Sequence, residues 1–331
     1  MPTDFLTLML DGCVPMKFRL IPPGEFRMGS RGVNANEEPI HQVKITKPFY
    51  IGVYPVTQLQ WRTIVATQDP PPDLNPAPSS FKGDDRPVER VNWHDSQAWC
   101  QLLNHSNAVR DCVDDAEERI EVASVDLPTE AQWEYACRLV QTQPHLVCCD
   151  TEYHTGDGEA ALSAAGWFRG NSDQQTHDVG GKEPNGIGLY DMHGNVWEWC
   201  RDAWSEDAYK LRIDRVADPL VSASDVGNSE NDADRVFRGG SWNSSARNCR
   251  AAARIGLEPD FRNRDLGFRV CLFFGPVVPS DQPGTEVTSE PVSGDAARRQ
   301  AAAKSDDSGG DVTEVDLSNA SLPKRSDGTK F

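Results

Sequence analysis

Three stretches of the chain carry apolar residues at helical spacing behind a polar cap. "TQLQWRTIVA" opens on Thr57 with Gln60 three residues on, the spacing of a capping box, in which each side chain satisfies the other's free backbone N–H. "NWHDSQAWCQLLN" offers Asn92 as cap and an apolar face through Ala98, Trp99 and Leu102. In "LPTEAQWEYACRL", Pro128 precedes Thr129, Gln132 follows three residues later, and Trp133, Ala136 and Cys137 recur at helical spacing. Short apolar runs predict strands in "MKFRLI", "HQVKITKPFYIG", "RVFRGG" and "GFRVCLFF". Between these elements lie long segments rich in Gly, Asn, Asp and Pro, and no repeat of fixed period appears.

A long irregular segment inside a domain must still satisfy its buried backbone groups. "GNSDQQTHDVGGKEPNGIGLYDMHGNVWEWCRDAW", residues 170–204, is built to do so with side-chain amides, indole edges and bound cations. "RGGSWNSSARNC", residues 238–249, poses a sharper question, because it has neither helical nor strand period and ends on Cys249. From the residues alone that cysteine is a buried thiol packed beside Trp242, a residual redox or metal thiol, or a nucleophile paired with His193 or His94.

Composition narrows the classes. The chain has 331 residues, nine tryptophans and a formal net charge of −18, which repels phosphate backbones and sets nucleic acid aside as a partner. The same acidity suits hard cations such as calcium. The longest apolar run near the end, "VCLFFGPVV", is too short to span a bilayer, and the N-terminus lacks the basic region of a secretory signal. Nine cysteines without a CxxC spacing predict reduced thiols and a cytoplasmic location. The expected organisation is an N-terminal extension over residues 1–13, one domain over 14–275, and an acidic, disordered tail over 276–331, where large aliphatics are scarce.

"DMHGNVWE" is the candidate metal loop. Asp191 and Glu198 offer carboxylates and Gly194 and Val196 backbone carbonyls, all hard oxygen donors suited to Ca²⁺, and Gly194 permits the reversal such a loop needs. His41, His94, His105, His145, His154 and His177 show no paired ligand spacing.

Seven blocks occur in order: "IPPGEFRMGS", "PFYIGVYPVTQLQW", "RPVERVNWHDSQAWC", "LPTEAQWEYACR", "PNGIGLYDMHGNVWEWC", "RGGSW" and "LGFRV". Together, from Phe18 to Leu272, they resemble the formylglycine-generating enzyme family, also called the sulfatase-modifying factor domain. The resemblance implies an α+β fold of low regular content related to C-type lectin-like domains. It also implies structural calcium at Asp191, Gly194, Val196 and Glu198, with Asn171 and Ser172 near a second family calcium site that is not assigned here. The family's type enzyme oxidises a sulfatase cysteine to formylglycine with oxygen and Cu(I) held between two cysteine thiolates, since soft thiolates select that ion.

Carried over residue by residue, the resemblance places an active-site serine at Ser241 and a tryptophan at Trp197. The first copper cysteine falls on Ser244 and the second on Cys249, while a family tyrosine is Asn248 and a family asparagine is Asp265. One thiolate, one phenol and one amide are gone, and a serine hydroxyl is a poor ligand for Cu(I). The implied protein is a divergent, monomeric, single-cysteine member with weakened or lost copper binding at Cys249. It keeps a pocket around Trp197 and Ser241 for a peptide, protein or small molecule. The alternative is an oxygen-dependent oxidoreductase acting through Cys249 with a second ligand the sequence does not identify.

Overall fold

The computed structural model describes residues 4–110, 112, 121–142, 145–212 and 216–274. All three expected caps form. Thr57 Oγ1 accepts the N–H of Gln60 at 3.2 Å while Gln60 Oε1 accepts that of Thr57 at 3.0 Å, opening helix α1 (Gln58–Thr67). Asn92 and Asp95 make the same reciprocal pair for α2 (Trp93–His105). Two short helices without a sequence signature, α3 (Asn107–Arg110) and α5 (Gly158–Ala165), flank α4 (Glu130–Arg138), which Thr129 and Gln132 cap. The buried face of α2 is Ser96, Trp99, Cys100 and Leu103, one step round from the face read off the sequence; Ala98 and Leu102 are half-buried.

Strands gather into three main sheets and a hairpin. The first has the order β1 (Phe5–Leu10), β2 (Val14–Ile21), β5 (Phe49–Gly52), β14 (Cys271–Phe274), β6 (Val122–Asp126), antiparallel throughout. In the second, β4 (His41–Ile45) lies between β3 (Gly24–Met28) and β10 (Val216–Ala217). The third runs β12 (Arg254–Leu257), β11 (Arg235–Arg238), β9 (Trp197–Ala203), β13 (Leu266–Phe268), the last pair parallel. A hairpin, β7 (Leu139–Thr142) and β8 (His145–Cys148), follows α4. The mixture of helices and strands is the expected α+β class.

Three readings change. "HQVKITKPFYIG" is two strands in different sheets, as is "GFRVCLFF", which divides at Arg269 and Val270. The supposed extension over residues 1–13 contains β1, whose Leu6, Leu8 and Leu10 enter the core and whose register with β2 runs from Phe5↔Arg19 to Leu10↔Val14. The expected tail, residues 276–331, lies outside the described residues.

Two apolar clusters share the interior. One joins the first sheet to α1 and α2, with Trp61 and Trp99 stacked at 6.4 Å and Phe268 edge-on to both. The other surrounds α4. That helix buries nearly every side chain, including the carboxylates of Glu130 and Glu134. Arg254 binds Glu130 with two nitrogens, at 2.6 and 2.9 Å, and Tyr209 donates to it at 3.3 Å. Glu134 takes Arg138 Nε at 2.8 Å, Arg238 and the N–H of Gly29. The same arginines donate to loop carbonyls: Arg238 to Ala251, Ala252 and Ala253, and Arg138 to Gly29, Cys149 and Thr151.

Burial alone would push the Glu130 carboxyl up, but the guanidinium groups of Arg254 and Arg238 outweigh it and hold the group at about 2. A carboxylate depressed in the folded state stabilises the fold above its ordinary value of 4.5, and that contribution fades as pH falls toward 2. Denaturant midpoints should therefore drop between pH 5 and 2. Glu130→Gln should already be weakened by about 3–5 kcal/mol at pH 7, because it strands a buried guanidinium, and should show a shallower acid loss. An unchanged acid profile in the variant would refute this assignment.

Candidate functional site

β11 ends at Arg238, and Gly239 and Gly240 then carry the chain through positive φ (96° and 74°) into the serine-rich turn. A Cβ on Gly240 would lie 2.5 Å from Cys249 Sγ, so the thiol closes directly on bare backbone. Ser241 Oγ donates to Asp265 Oδ2 at 2.8 Å. Ser244 Oγ accepts the N–H of Ser241 at 3.0 Å and stands 3.0 Å from its hydroxyl. The N–H of Trp197, at the start of β9, donates to the Asp265 carbonyl at 2.8 Å. Ser241, Ser244 and Asp265 therefore meet, and Trp197 joins them through its backbone N–H on the Asp265 carbonyl. Asn248 lies apart in the turn before Cys249, its N–H bonded to the Ser245 carbonyl.

They meet in a closed space. Trp197, Ser241 and Ser244 are 0 % exposed and Asp265 1 %. Trp242 lies over the turn, with Phe81 edge-on to it at 5.4 Å and the Arg264 guanidinium 5.1 Å above its ring. The loop that brings Phe81 is pinned by Glu89, whose Oε1 accepts the Phe81 N–H at 2.8 Å. Glu89 is wholly buried, and burial pushes its carboxyl up to about 8. Sequence reading missed this residue; an acid inside the apolar run "PVERV" was the available signal.

Cys249 is buried, but its apolar neighbours are Tyr153, Leu162 and Phe168 rather than Trp242. Burial pushes its thiol up to about 12, so at neutral pH it is protonated and a poor nucleophile. His193 does not activate it. Nδ1 of that ring lies 2.8 Å from the Cys249 carbonyl oxygen, which fixes the proton on Nδ1, while Nε2 accepts the N–H of His154 at 3.2 Å and faces Cys137 Sγ at 3.6 Å. His94 is on α2, 4.0 Å from Asp260. The Cys–His nucleophile reading is thereby corrected: the imidazole grips the backbone of Cys249, not its sulfur. No group of three or more His, Cys, Asp or Glu side chains able to hold a metal occurs among the described residues. One protonated thiol beside two hydroxyls and a carboxylate does not fit Cu(I).

The 191–198 loop is tightly wound. Asp191, Gly194 and Asn195 have φ of 58°, 127° and 66°, and a Cβ on Gly194 would meet the Trp167 carbonyl oxygen at 2.1 Å. Asp191 accepts the N–H of Gly180 at 2.7 Å and the Asn195 amide at 3.2 Å; burial pushes its carboxyl up to about 6. Among the described residues no hydrogen bond ends on the carbonyl oxygen of Gly194 or Val196, both buried. Asp191 and these two carbonyls are oxygen donors of the kind a hard cation takes, and both Asp191 oxygens already accept protein N–H groups. Glu198 fits less well, because Arg269 grips both its oxygens at 2.7 Å and Trp133 donates to one at 2.6 Å. Asn171 and Ser172 bond the backbone instead, Asn171 to Phe168 and Gly166, and Ser172 to Trp242.

Residues 15–272 match the sulfatase-modifying factor enzyme 1-like domain family. The chain belongs to that family. Mouse formylglycine-generating enzyme is 30 % identical over 240 residues, 70 % of this chain and 52 % of the mouse protein. The chaperone protein LppX of Paenibacillus barcinonensis is 31 % identical over 180 residues, 46 % of this chain and 61 % of LppX. This chain thus spans less than two thirds of either relative's length. Among solved structures, Treponema denticola variable protein 1 superposes with a TM-score of 0.62 at 28 % identity, covering 82 % of this chain and 99 % of that one.

In this sulfatase-modifying-factor domain three surface clefts are lined by neither Trp197 nor Ser241. Both side chains are 0 % exposed, so they form packed interior rather than the wall of an open pocket. All nine cysteines are free thiols, and of these Cys13 is exposed and Cys148 and Cys149 half-buried. Alkylation of the native protein at pH 8, read by mass spectrometry, should label Cys13 first and leave Cys249 unmodified until the protein is unfolded. Rapid native labelling of Cys249 would mean that the site opens.

Proposed function

We propose that this sulfatase-modifying-factor domain does not oxidise cysteine to formylglycine and acts instead as a binding domain. The observation that carries the reading is the state of the copper position. Ser244 has its hydroxyl tied to Ser241, whose own proton goes to Asp265, and Cys249 beside it is a closed, protonated thiol. Those residues hold the turn shut and exclude water; none offers a soft anionic donor. A peptide, protein or small-molecule ligand is then held at the surface. The nine free thiols support a reducing, cytoplasmic setting, and no helix of the described residues is long and apolar enough to cross a membrane. The domain is taken to act as a monomer.

A competition titration against a chromogenic Cu(I) chelator tests this. The unmutated protein should leave the chelator loaded, and Ser244→Cys, which adds a sulfur beside Cys249, should bind Cu(I) at least tenfold more tightly. Tight one-to-one binding by the unmutated protein, with oxygen-dependent conversion of a cysteine-containing peptide, would establish the rival oxidoreductase acting through Cys249.

The same reading includes a structural Ca²⁺ on Asp191 and the carbonyls of Gly194 and Val196, with Glu198 adding what Arg269 leaves free. The ion would supply charge neutralisation and a cross-link to the loop. A calcium-bound fold gains about 2.7 kcal/mol at a hundredfold excess over Kd, so EGTA should lower the Tm by several degrees. Asp191→Ala should remove that sensitivity. No change with EGTA, and no calcium by elemental analysis, would end the idea.

A further inference from the structure

Two surface clefts run together above Tyr153, the residue that roofs Cys249 and donates its hydroxyl to the Ala246 carbonyl at 2.7 Å. The first measures about 460 Å³ and the second about 340 Å³, and they share Val33, Glu152 and Arg250. Each volume falls in the range of small-ligand sites, ~300–1,000 Å³.

The lining comes from two hydrogen-bonded groups of opposite charge. The basic group hangs from a buried ion pair. Glu37, 0 % exposed, binds Arg250 at 2.7 and 2.8 Å and takes the Asn34 amide at 2.6 Å; Asn34 Oδ1 and the Val33 carbonyl in turn each accept from Arg247 at 2.6 Å. Arg31 stands exposed beside them. The acidic group hangs from the start of α5. Glu152 accepts the N–H of Gly158 at 3.1 Å and its own N–H donates to Asp157 at 2.8 Å, with Glu159 following.

The charges in this groove do not neutralise one another. Arg27 and Asp150, 3.4 Å apart, join the two groups at one end. Arg31, Arg247, Glu152 and Glu159 form no ion pair among the described residues; Arg247 and Glu159 line the first cleft, Arg31 the second, and Glu152 both. Hydrogen bonds hold Arg247 to Val33 and Asn34 and Glu152 to Gly158, so a ligand with charges at both ends meets one group of each sign already in place.

Resting on the binding-domain reading, we infer that this groove binds a short zwitterion of the peptide type, its carboxylate toward Arg31 and Arg247 and its ammonium toward Glu152 and Glu159. The two ends of the ligand can be erased separately, and so can the two ends of the site. The probes are di-, tri- and tetra-alanine with free termini, and the N-acetylated and C-amidated forms of whichever length binds, titrated into the full chain and followed by NMR at low salt. One free-terminus peptide should give saturable shifts, and blocking either end should weaken it at least tenfold. Arg31→Gln should weaken the free peptide yet leave the C-amidated form unaffected, whereas Glu159→Gln should leave the N-acetylated form unaffected. Both side chains are exposed and hold no partner among the described residues, so the variants should keep the parent melting temperature. The inference is overturned if no length gives saturable shifts, or if blocked and free peptides bind alike, or if neither variant matters. The copper titration is independent of these outcomes, so failure here leaves the non-oxidase reading standing, and failure there does not depend on the peptides.

Discussion

Glu130 and Glu134 bring two negative charges into the centre of the domain, and Arg138, Arg238 and Arg254 follow them there. Removing such charges from water is costly, and the pairing alone often fails to recover that cost. What distinguishes these arginines is their remaining donors. A guanidinium has five N–H groups, and each of these uses the ones its carboxylate leaves free to collect carbonyls from chain with no sheet or helix partner. Arg269 repeats the arrangement, binding Glu198 and then the carbonyls of Gly52, Val53 and Tyr190. In a fold with so much irregular backbone, buried arginines take over part of the hydrogen-bonding role that strands and helices fill elsewhere.

The serine turn lies within this frame, and its chemistry follows from what surrounds it. Ser241 and Ser244 are neutral, small and mutually bonded, and Asp265 accepts the remaining proton. The two hydroxyls and the Asp265 carboxylate bond to one another, and Trp242 and Phe81 pack edge to face beside them.

Local signals were legible in the sequence. The capping pairs of α1 and α4 and the Asn92 cap of α2 form as the sequence predicts, because a cap involves residues three apart. The ordered motifs marked Trp197, Ser241, Ser244 and Asp265 as positions of the family site, and hydrogen bonds join the last three. Long-range contacts were not legible. Arg238 meets Glu134 across 104 residues and Arg254 meets Glu130 across 124, and no periodicity records such meetings. The same holds for Cys249, whose neighbours Tyr153 and Phe168 come from a segment with no regular pattern of its own. β1 was misread because its apolar alternation is short and sits beside a chain terminus, yet pairing with β2 draws it into the main sheet.

The order of strands in that sheet has a consequence for how the domain is made. β14 lies in the middle, hydrogen-bonded to β5 on one side and β6 on the other, although it is the last strand among the described residues. During synthesis β5 and β6 leave the ribosome long before the strand that separates them, and until it arrives they present open edges beside apolar faces. Assembly therefore ends with an insertion rather than an addition: a nascent chain cut off before Cys271 has no finished smaller domain to fall back on.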